Sequence, residues 1–513
     1  MDQRTWTVMT AFQEFVDEAL DVVRSGKQGS GPKLHEVVAE HLGVDMSTLP
    51  VVRLDVPRHD FVNLDVALEA LAAEQVGEQS GDHAGGPDGA PRVIGIAGDN
   101  RHHQTFSDML APQWGPSVGA VDRIRMDTGP ESNREAVVCG VHLFRYRGTP
   151  VAILQRRGNM RYGNGETGIE VLAAGPVTDD LLADVRRLML ERNVFRGQVI
   201  GFQVSESDYG PSEGGVRFLP RPHLEPDQVV LPEGSLGRLE RHIAGTARHR
   251  DRLLADGQHL KRGLLLFGPP GTGKTHTVRY LVGEASGVTC VLMSGRALGL
   301  IDDAVSMARA LQPSVVVLED VDLIAEQREL HLGPQPLLFN LLDAMDGLDG
   351  DSDVAFVLTT NRVDLLEEAL SQRPGRVDLA VEVPRPDQAG RRKLLQLYAG
   401  RLPLSPAALD DAAARSEGVT ASFFKELARR VVLLSAENGT PVDDAALAAA
   451  LAEMLGDAER LTRALLGSDP GPAPDASGEA PGWPDGPPRI TFVSGEETSG
   501  PNPAQFGPGP TSL

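Results

Sequence analysis

The chain has 513 residues and a mass of 54.8 kDa, too long for one compact core and suggestive of roughly three domains at about 150 residues each. Hydrophobic residues make up 41% and charged residues 24%, which excludes a fibrous or wholly disordered chain, while 56 Gly and 37 Pro point to linkers or an unstructured tail. The 72 acidic and 49 basic residues leave a net charge of -23, which repels phosphate backbones and anionic membranes and argues against a nucleic-acid partner.

Cys139 and Cys290 are too few for a disulfide framework or a Cys-rich zinc site. The first residues lack the basic-then-apolar order of a secretory signal, and no apolar run reaches the roughly 18 residues of a membrane helix. The expectation is a soluble, cytoplasmic protein.

In chain order, residues 1–78 show helical spacing at Phe12, Phe15, Val16, Leu20 and Val23, and again at Val66, Leu68, Leu71 and Ala72, predicting a helical N-terminal region. Residues 79–91, rich in Gly, Pro and Asp, read as a flexible linker. Residues 92–225 predict an α+β domain for a client or partner. AVVCGVHLFRY and VAILQRR form a hairpin, a helix opening at Thr178 buries Leu181, Leu182, Val185, Leu188 and Met189, and QVIGFQV is a further strand.

Residues 226–388 alternate short apolar runs (LLLF, CVLM, SVVVLED, AFVLTT, AVEV) with helical stretches, the pattern of an α/β core with a parallel sheet. Residues 389–466 are almost all helix, opened by caps at Asp387 and Thr420. Residues 467–513, roughly two-fifths Pro and Gly, predict a disordered tail.

The strongest chemical signal is Gly268-Pro269-Pro270-Gly271-Thr272-Gly273-Lys274-Thr275, which fits G-x-x-x-x-G-K-[ST] between a strand-like run and a helix continuing through His276. Glycines let the backbone wrap phosphates so that N–H groups face negative charge, Lys274 reaches the β and γ phosphates, and the Thr275 hydroxyl serves Mg²⁺. Downstream, the apolar strand SVVVL ends in Glu319 and Asp320, acids placed to hold a metal beside the phosphates and orient a water.

Together these motifs resemble the AAA family of ATPases, whose members usually end this strand with Asp then Glu. Aligned without a gap, Glu319 takes the metal position and Asp320 the base position, an order similar to that in the mitochondrial AAA translocase of the Rieske protein. Residues 355–378 resemble the family's second region of homology. There Asn361 matches the sensor that helps place the water, and Arg373 and Arg376 match arginine fingers that act across a subunit boundary.

SEGVTASFFKEL resembles the start of a lid helix, although Thr420-Ala421-Ser422 departs from the usual Gly-Ala-Asp. The resemblance spans 226–466 and implies a P-loop NTPase sheet with a helical lid, hydrolysis of ATP with Mg²⁺ held by Thr275 and Glu319, and commonly a hexameric ring.

Four further signals carry less. Leu298-Gly299-Leu300 falls where ring unfoldases carry an aromatic grip, but has no aromatic ring. His35 and His41 lie six apart and so do not share a helix face as a zinc pair would, and no H-E-x-x-H occurs in the sequence. Arg145, Arg147, Arg156, Arg157 and Arg161, interleaved with Phe144, Tyr146 and Tyr162, predict a basic, aromatic patch for single strands, against which the overall charge stands. The Gly-rich GNGETG from Gly163 reads as a turn. The reading that follows is a chaperone-like ring ATPase that remodels a protein client. The alternatives are a nucleotide-gated scaffold with slow hydrolysis and a nucleic-acid motor or loader.

Overall fold

The computed structural model describes residues 31–78, 90–98, 101, 104–112, 115–158, 166–205, 213–322, 352–364, 377–456 and 463. The expectations for Phe12 to Val23, for most of the linker, for Arg161, Tyr162 and GNG, and for the tail lie outside the described residues.

The first part of the chain builds an antiparallel sheet of seven strands: β1 (Val52–Asp55), β2 (Arg92–Ile96), β3 (Val118–Gly119), β4 (Asp122–Asp127), β5 (Asn133–Tyr146), β6 (Thr149–Arg156) and β7 (Gly168–Ala173). They run in the order β1-β7-β6-β5-β2-β3, with β4 on the first half of the long β5. Helix α1 (Leu34–Leu42) covers one face. Helices α2 (Phe61–Glu78) and α3 (Thr178–Glu191) cover the other.

Strand periodicity explains how one sequence serves both faces, since side chains alternate across the sheet. Val141 and Leu143 pack with Leu34, Val38 and Leu42 of α1, whereas Phe144 and Tyr146 pack with Leu64 and Leu68 of α2 and Leu181 and Val185 of α3. A sheet covered on both sides reads as a continuous apolar run, as β5 to β7 do.

The described part of the expected helical region 1–78 does not stand as one. Its strand β1 pairs antiparallel with β7, from Val52↔Val171 to Asp55↔Gly168. Four residues stopped by Pro57 are too short to outweigh the helical spacing on either side.

The second sheet comprises β8 (Val199–Ser205), β9 (Glu213–Leu219), β10 (Arg262–Phe267), β11 (Thr289–Ser294), β12 (Ser314–Glu319), β13 (Val354–Thr360) and β14 (Leu379–Glu382), in the order β14-β10-β13-β12-β11-β8-β9. All neighbours are parallel except β9, which returns antiparallel along β8. Between the strands run α4 (Lys274–Glu284) and α5 (Ile301–Ala310).

The β8–β9 hairpin, which the sequence places with the 92–225 domain, is hydrogen-bonded into this second sheet, with Val199 opposite Cys290 and Gly201 opposite Leu292. Its side chains enter the second sheet's core on both faces: Ile200 and Phe202 pack in the cluster of Val291, and Val199 in that of Cys290. Arg221 staples the junction by donating to the carbonyls of Gly197, Val282, Ala285 and Val288.

Four helices follow: α6 (Gln388–Ala399), α7 (Pro406–Arg415), α8 (Ala421–Asn438) and α9 (Asp444–Leu455), packed around Leu395, Phe423, Phe424, Leu427 and Leu451. Asp387 caps α6 by accepting from the Gly390 N–H at 2.7 Å, and Thr420, fully buried, occupies the N-cap position of α8.

Candidate active site

The parallel sheet delivers its chemistry at the carboxyl ends of its strands, where open α/β sheets leave a crevice. After β10 the backbone turns through Gly268 (φ 144°), Gly271 (φ 75°) and Gly273 (φ 112°), conformations that favour glycine. A Cβ on Gly268 would also collide with the Val383 carbonyl oxygen, so this position is closed to side chains twice over.

Gly273 is the N-cap of α4, so the N–H groups of the first turn lack partners within the helix. Lys274, Thr275 and His276 of that turn line a cleft of about 430 Å³ together with Pro270, Gly271 and Gly273. Thr272 Oγ1 donates to the Pro269 carbonyl at 2.9 Å and fixes the loop, while His276 Nε2 donates to the Gln228 carbonyl at 3.1 Å and ties α4 to the preceding turn.

The Lys274 ammonium, on a side chain that is almost fully buried, donates to the carbonyls of Gly268 at 2.8 Å and Pro269 at 2.9 Å. Burial lowers its pKa, and the charges of Asp320 and Asp322 oppose that shift. A cation held within a loop of backbone donors is an anion cradle.

Opposite the loop, β12 ends on Glu319, whose carboxylate neighbours the Thr275 hydroxyl. Burial raises the Glu319 pKa. The Thr275 hydrogen bond lowers it, Asp320 raises it, and Arg279 lowers it. Asp320 then adopts the left-handed conformation at φ 52°, uncommon outside glycine but tolerated by Asp, with its N–H held by Thr359 Oγ1 at 3.0 Å.

Asn361, at the end of β13, places its Nδ2 3.4 Å from both Asp320 Oδ1 and Asp322 Oδ2, and its backbone N–H donates to Asp322 Oδ1 at 3.2 Å. The structure thus sorts the acids: Glu319 sits with Thr275, and Asp320 with Asn361. The donor set fits a polyphosphate with a divalent metal, since backbone N–H groups and an ammonium adjoin a hydroxyl and carboxylates, hard oxygen ligands of the kind Mg²⁺ prefers.

Four residues in or beside the cleft have places that the motifs alone do not give: Asp322 just behind it, and Lys425, Tyr398 and Ser422 lining it. Asp322, buried, anchors the backbone and amide of Asn361, and its signal was its place two residues beyond Asp320 in LEDVD. Lys425 and Tyr398 line the cleft from α8 and α6; Lys425 is one of only six lysines in an arginine-rich chain. Ser422 is where the departure from Gly-Ala-Asp acquires a function: its N–H and its hydroxyl both donate to the Gly271 carbonyl, at 3.0 and 3.2 Å.

Other expectations separate. Arg373 and Arg376 lie outside the described residues. Leu298 is buried in the core and Leu300 partly so, which leaves little of this pair to grip a polypeptide. His41 is a structural pin, its Nε2 shared between the carbonyls of Phe144 and Val151 at 3.1 Å each, and burial lowers its pKa.

Among the described residues the basic, aromatic patch does not assemble. Phe144 and Tyr146 are in the core, Arg156 is buried against Glu170 at 2.7 Å, and Arg147 pairs with Asp180 at 2.7 Å and Asp184 at 3.4 Å.

Residues 264–385 match the family model described as "ATPase family associated with various cellular activities (AAA)". The chain is 32% identical over 259 residues to ATP-dependent zinc metalloprotease FtsH 3 of Synechocystis sp., a match covering 47% of this chain and 41% of that protein. It is 34% identical over 230 residues to ATP-dependent zinc metalloprotease FtsH of Mycobacterium tuberculosis, covering 42% and 30% respectively. It is 29% identical over 322 residues to the chloroplastic ATP-dependent zinc metalloprotease FTSH 1 of Arabidopsis thaliana, covering 56% and 45%. The chain therefore spans less than half the length of these relatives.

Proposed function

We propose that this chain, whose residues 264–385 match the AAA family model, takes ATP with Mg²⁺ and works as a homo-oligomeric, chaperone-like ring in the cytoplasm, coupling hydrolysis to remodelling of a protein client. The observation that carries this reading is the double hydrogen bond from Ser422 to Gly271, which joins the first turn of α8 directly to the phosphate loop. A change at the loop is then felt by the four-helix lid as a rigid body, the link a motor needs.

In this reading the loop N–H groups and Lys274 bind and orient the triphosphate. Thr275 and Glu319 would hold Mg²⁺, which when bound supplies positive charge beside the phosphates. Asp320 orients the attacking water and accepts its proton, while Asn361 fixes the water's position. Arg373, with Arg376 in support, reaches the phosphates of a neighbouring subunit. The metalloprotease part of the relatives' names is not carried over, because these 513 residues contain no H-E-x-x-H.

The test is steady-state ATP turnover with oligomeric state measured in parallel. Lys274→Ala should lower turnover by roughly 10²- to 10³-fold, and Arg373→Ala should do likewise in a confirmed oligomer. An oligomeric Arg373→Ala protein with full turnover removes the finger, and a fully active Lys274→Ala protein removes the whole site. The burial of Leu298 favours one second reading, a nucleotide-gated scaffold that assembles on ATP and threads nothing. ATP-dependent oligomers with negligible turnover select it.

A further inference from the structure

A cavity of about 730 Å³, larger than the nucleotide cleft, opens elsewhere in the molecule. Residues 124–127 of β4 and 215–218 of β9 line it, together with the turn at Arg58–Asp60. Among the described residues each of these strands is paired on one side only, β4 with β5 and β9 with β8. Each therefore presents an outer row of backbone N–H and C=O groups, the template on which a further strand can form.

Two properties of the lining narrow what fits. Arg58, Arg125, Arg157 and Arg217 line the cavity with Asp127 as the one acidic side chain of the lining; Arg58 and Arg157 already hold partners of their own, which leaves Arg125 and Arg217 to meet a ligand's charge. Arg125 is three-quarters exposed (76%), with Glu135 at 3.7 Å as its ion-pair partner. Between these charges Ile124 stands 37% exposed, one of five large hydrophobic side chains so placed among the described residues.

We propose that this cleft binds an extended, acidic polypeptide segment, which adds a strand to an open sheet edge while its carboxylates meet the arginines and an apolar side chain covers Ile124. The alternating donors and acceptors of a strand edge match a polypeptide backbone. A phosphodiester strand offers acceptors only, so the edge favours a peptide over a nucleic acid. The inference deepens the reading of the chain as a protein remodeller, for which it supplies the client's docking site.

The experiment is fluorescence anisotropy on the full chain without nucleotide, using a labelled short peptide of alternating Glu and Val. Its Lys-for-Glu counterpart, a version N-methylated at alternate residues and an oligothymidine serve as comparators. The Glu/Val peptide should bind saturably, more weakly at high salt, and at least about tenfold more weakly to an Arg125→Glu, Arg217→Glu double variant. The methylated and Lys/Val peptides should bind far less well.

Equal binding of the Lys/Val peptide, undiminished binding to the double variant, or tighter binding of the oligothymidine would each overturn the proposal. Unchanged binding of the methylated peptide would do so too, by removing the backbone pairing. Neither arginine lines the nucleotide cleft, so the double variant should keep its turnover within about twofold. If charge reversal prevents folding, Arg125→Gln with Arg217→Gln reads the same loss. Absent peptide binding with intact turnover sinks the cleft and spares the ATPase reading, whereas Lys274→Ala should abolish turnover and leave peptide binding intact.

Discussion

In the antiparallel sheet the buried acids are held by groups of the same sheet and its helices, although Asp65 also lines a cavity of about 430 Å³. Glu170 meets Arg156 at 2.7 Å and accepts the Phe106 N–H at 3.0 Å, while Asp65 accepts from Val137 N at 2.9 Å and Gln155 Nε2 at 3.1 Å. In the parallel sheet Asp320, just past the carboxyl end of β12, lines a cleft, and its partner Asn361 is itself a cleft residue. A closed polar network fixes one packing of a core, while an open one leaves charge directed at whatever enters. The amino end of the same parallel sheet shows the contrast within one element: there Arg262 and Asp353 close on each other at 2.8 Å, both buried.

The sharpest way to break this comparison is to open the closed pairs. Arg156→Ala and Arg262→Ala each leave a buried carboxylate without its main partner, so each should cost about 3–5 kcal/mol in urea unfolding. The folded fraction of each variant should keep its affinity for Mg-ATP. If Arg156→Ala leaves stability intact yet lowers turnover, the antiparallel network is part of a site and the division between the sheets fails.

The glycine loop after β10 was legible because its geometry depends on local order: the glycines, Lys274 and Thr275 are adjacent in sequence, and Glu319 and Asp320 close a strand-like run. The lid was legible from helical spacing and the Asp387 cap. The membership of β8 and β9 was not, because it depends on hydrogen bonds between Val199 and a strand some ninety residues later, and period-two spacing names no partner. Strand β1 was hidden for the opposite reason, since four residues between two long helical patterns leave too little period to read. Asp322 stood in plain view, but its role rests on contact with Asn361, thirty-nine residues away.

Within the open site, Asp322 tests whether a positioning residue can be separated from the acids that face the cleft. Asp322→Asn weakens two contacts to Asn361, and a hydrogen bond to a charged group contributes about 1.5–3 kcal/mol. The expected result is a kcat about tenfold lower with little change in KM, since Asn361 is placed in the wild type by a group that does not line the cleft. A large rise in KM instead would make Asp322 part of nucleotide binding.

The smallest effect concerns Glu319, whose pKa is raised first by burial, with the Thr275 hydroxyl opposing, Asp320 adding and Arg279 opposing. A carboxyl with a raised folded pKa binds more protons in the native than in the unfolded chain, so its contribution to stability is lost as pH climbs from the ordinary value of about 4.3 through the raised one. Glu319→Gln cannot suffer that loss. Without Mg²⁺ it should therefore melt roughly a few degrees above wild type at neutral pH, and the gap should close below about pH 4. With Mg²⁺ and ATP present the order should reverse, because the carboxylate then meets a cation that the amide holds poorly. A gap that ignores both pH and metal would mean that Glu319 is as closed as Glu170, and that the acidic end of β12 is packing rather than chemistry.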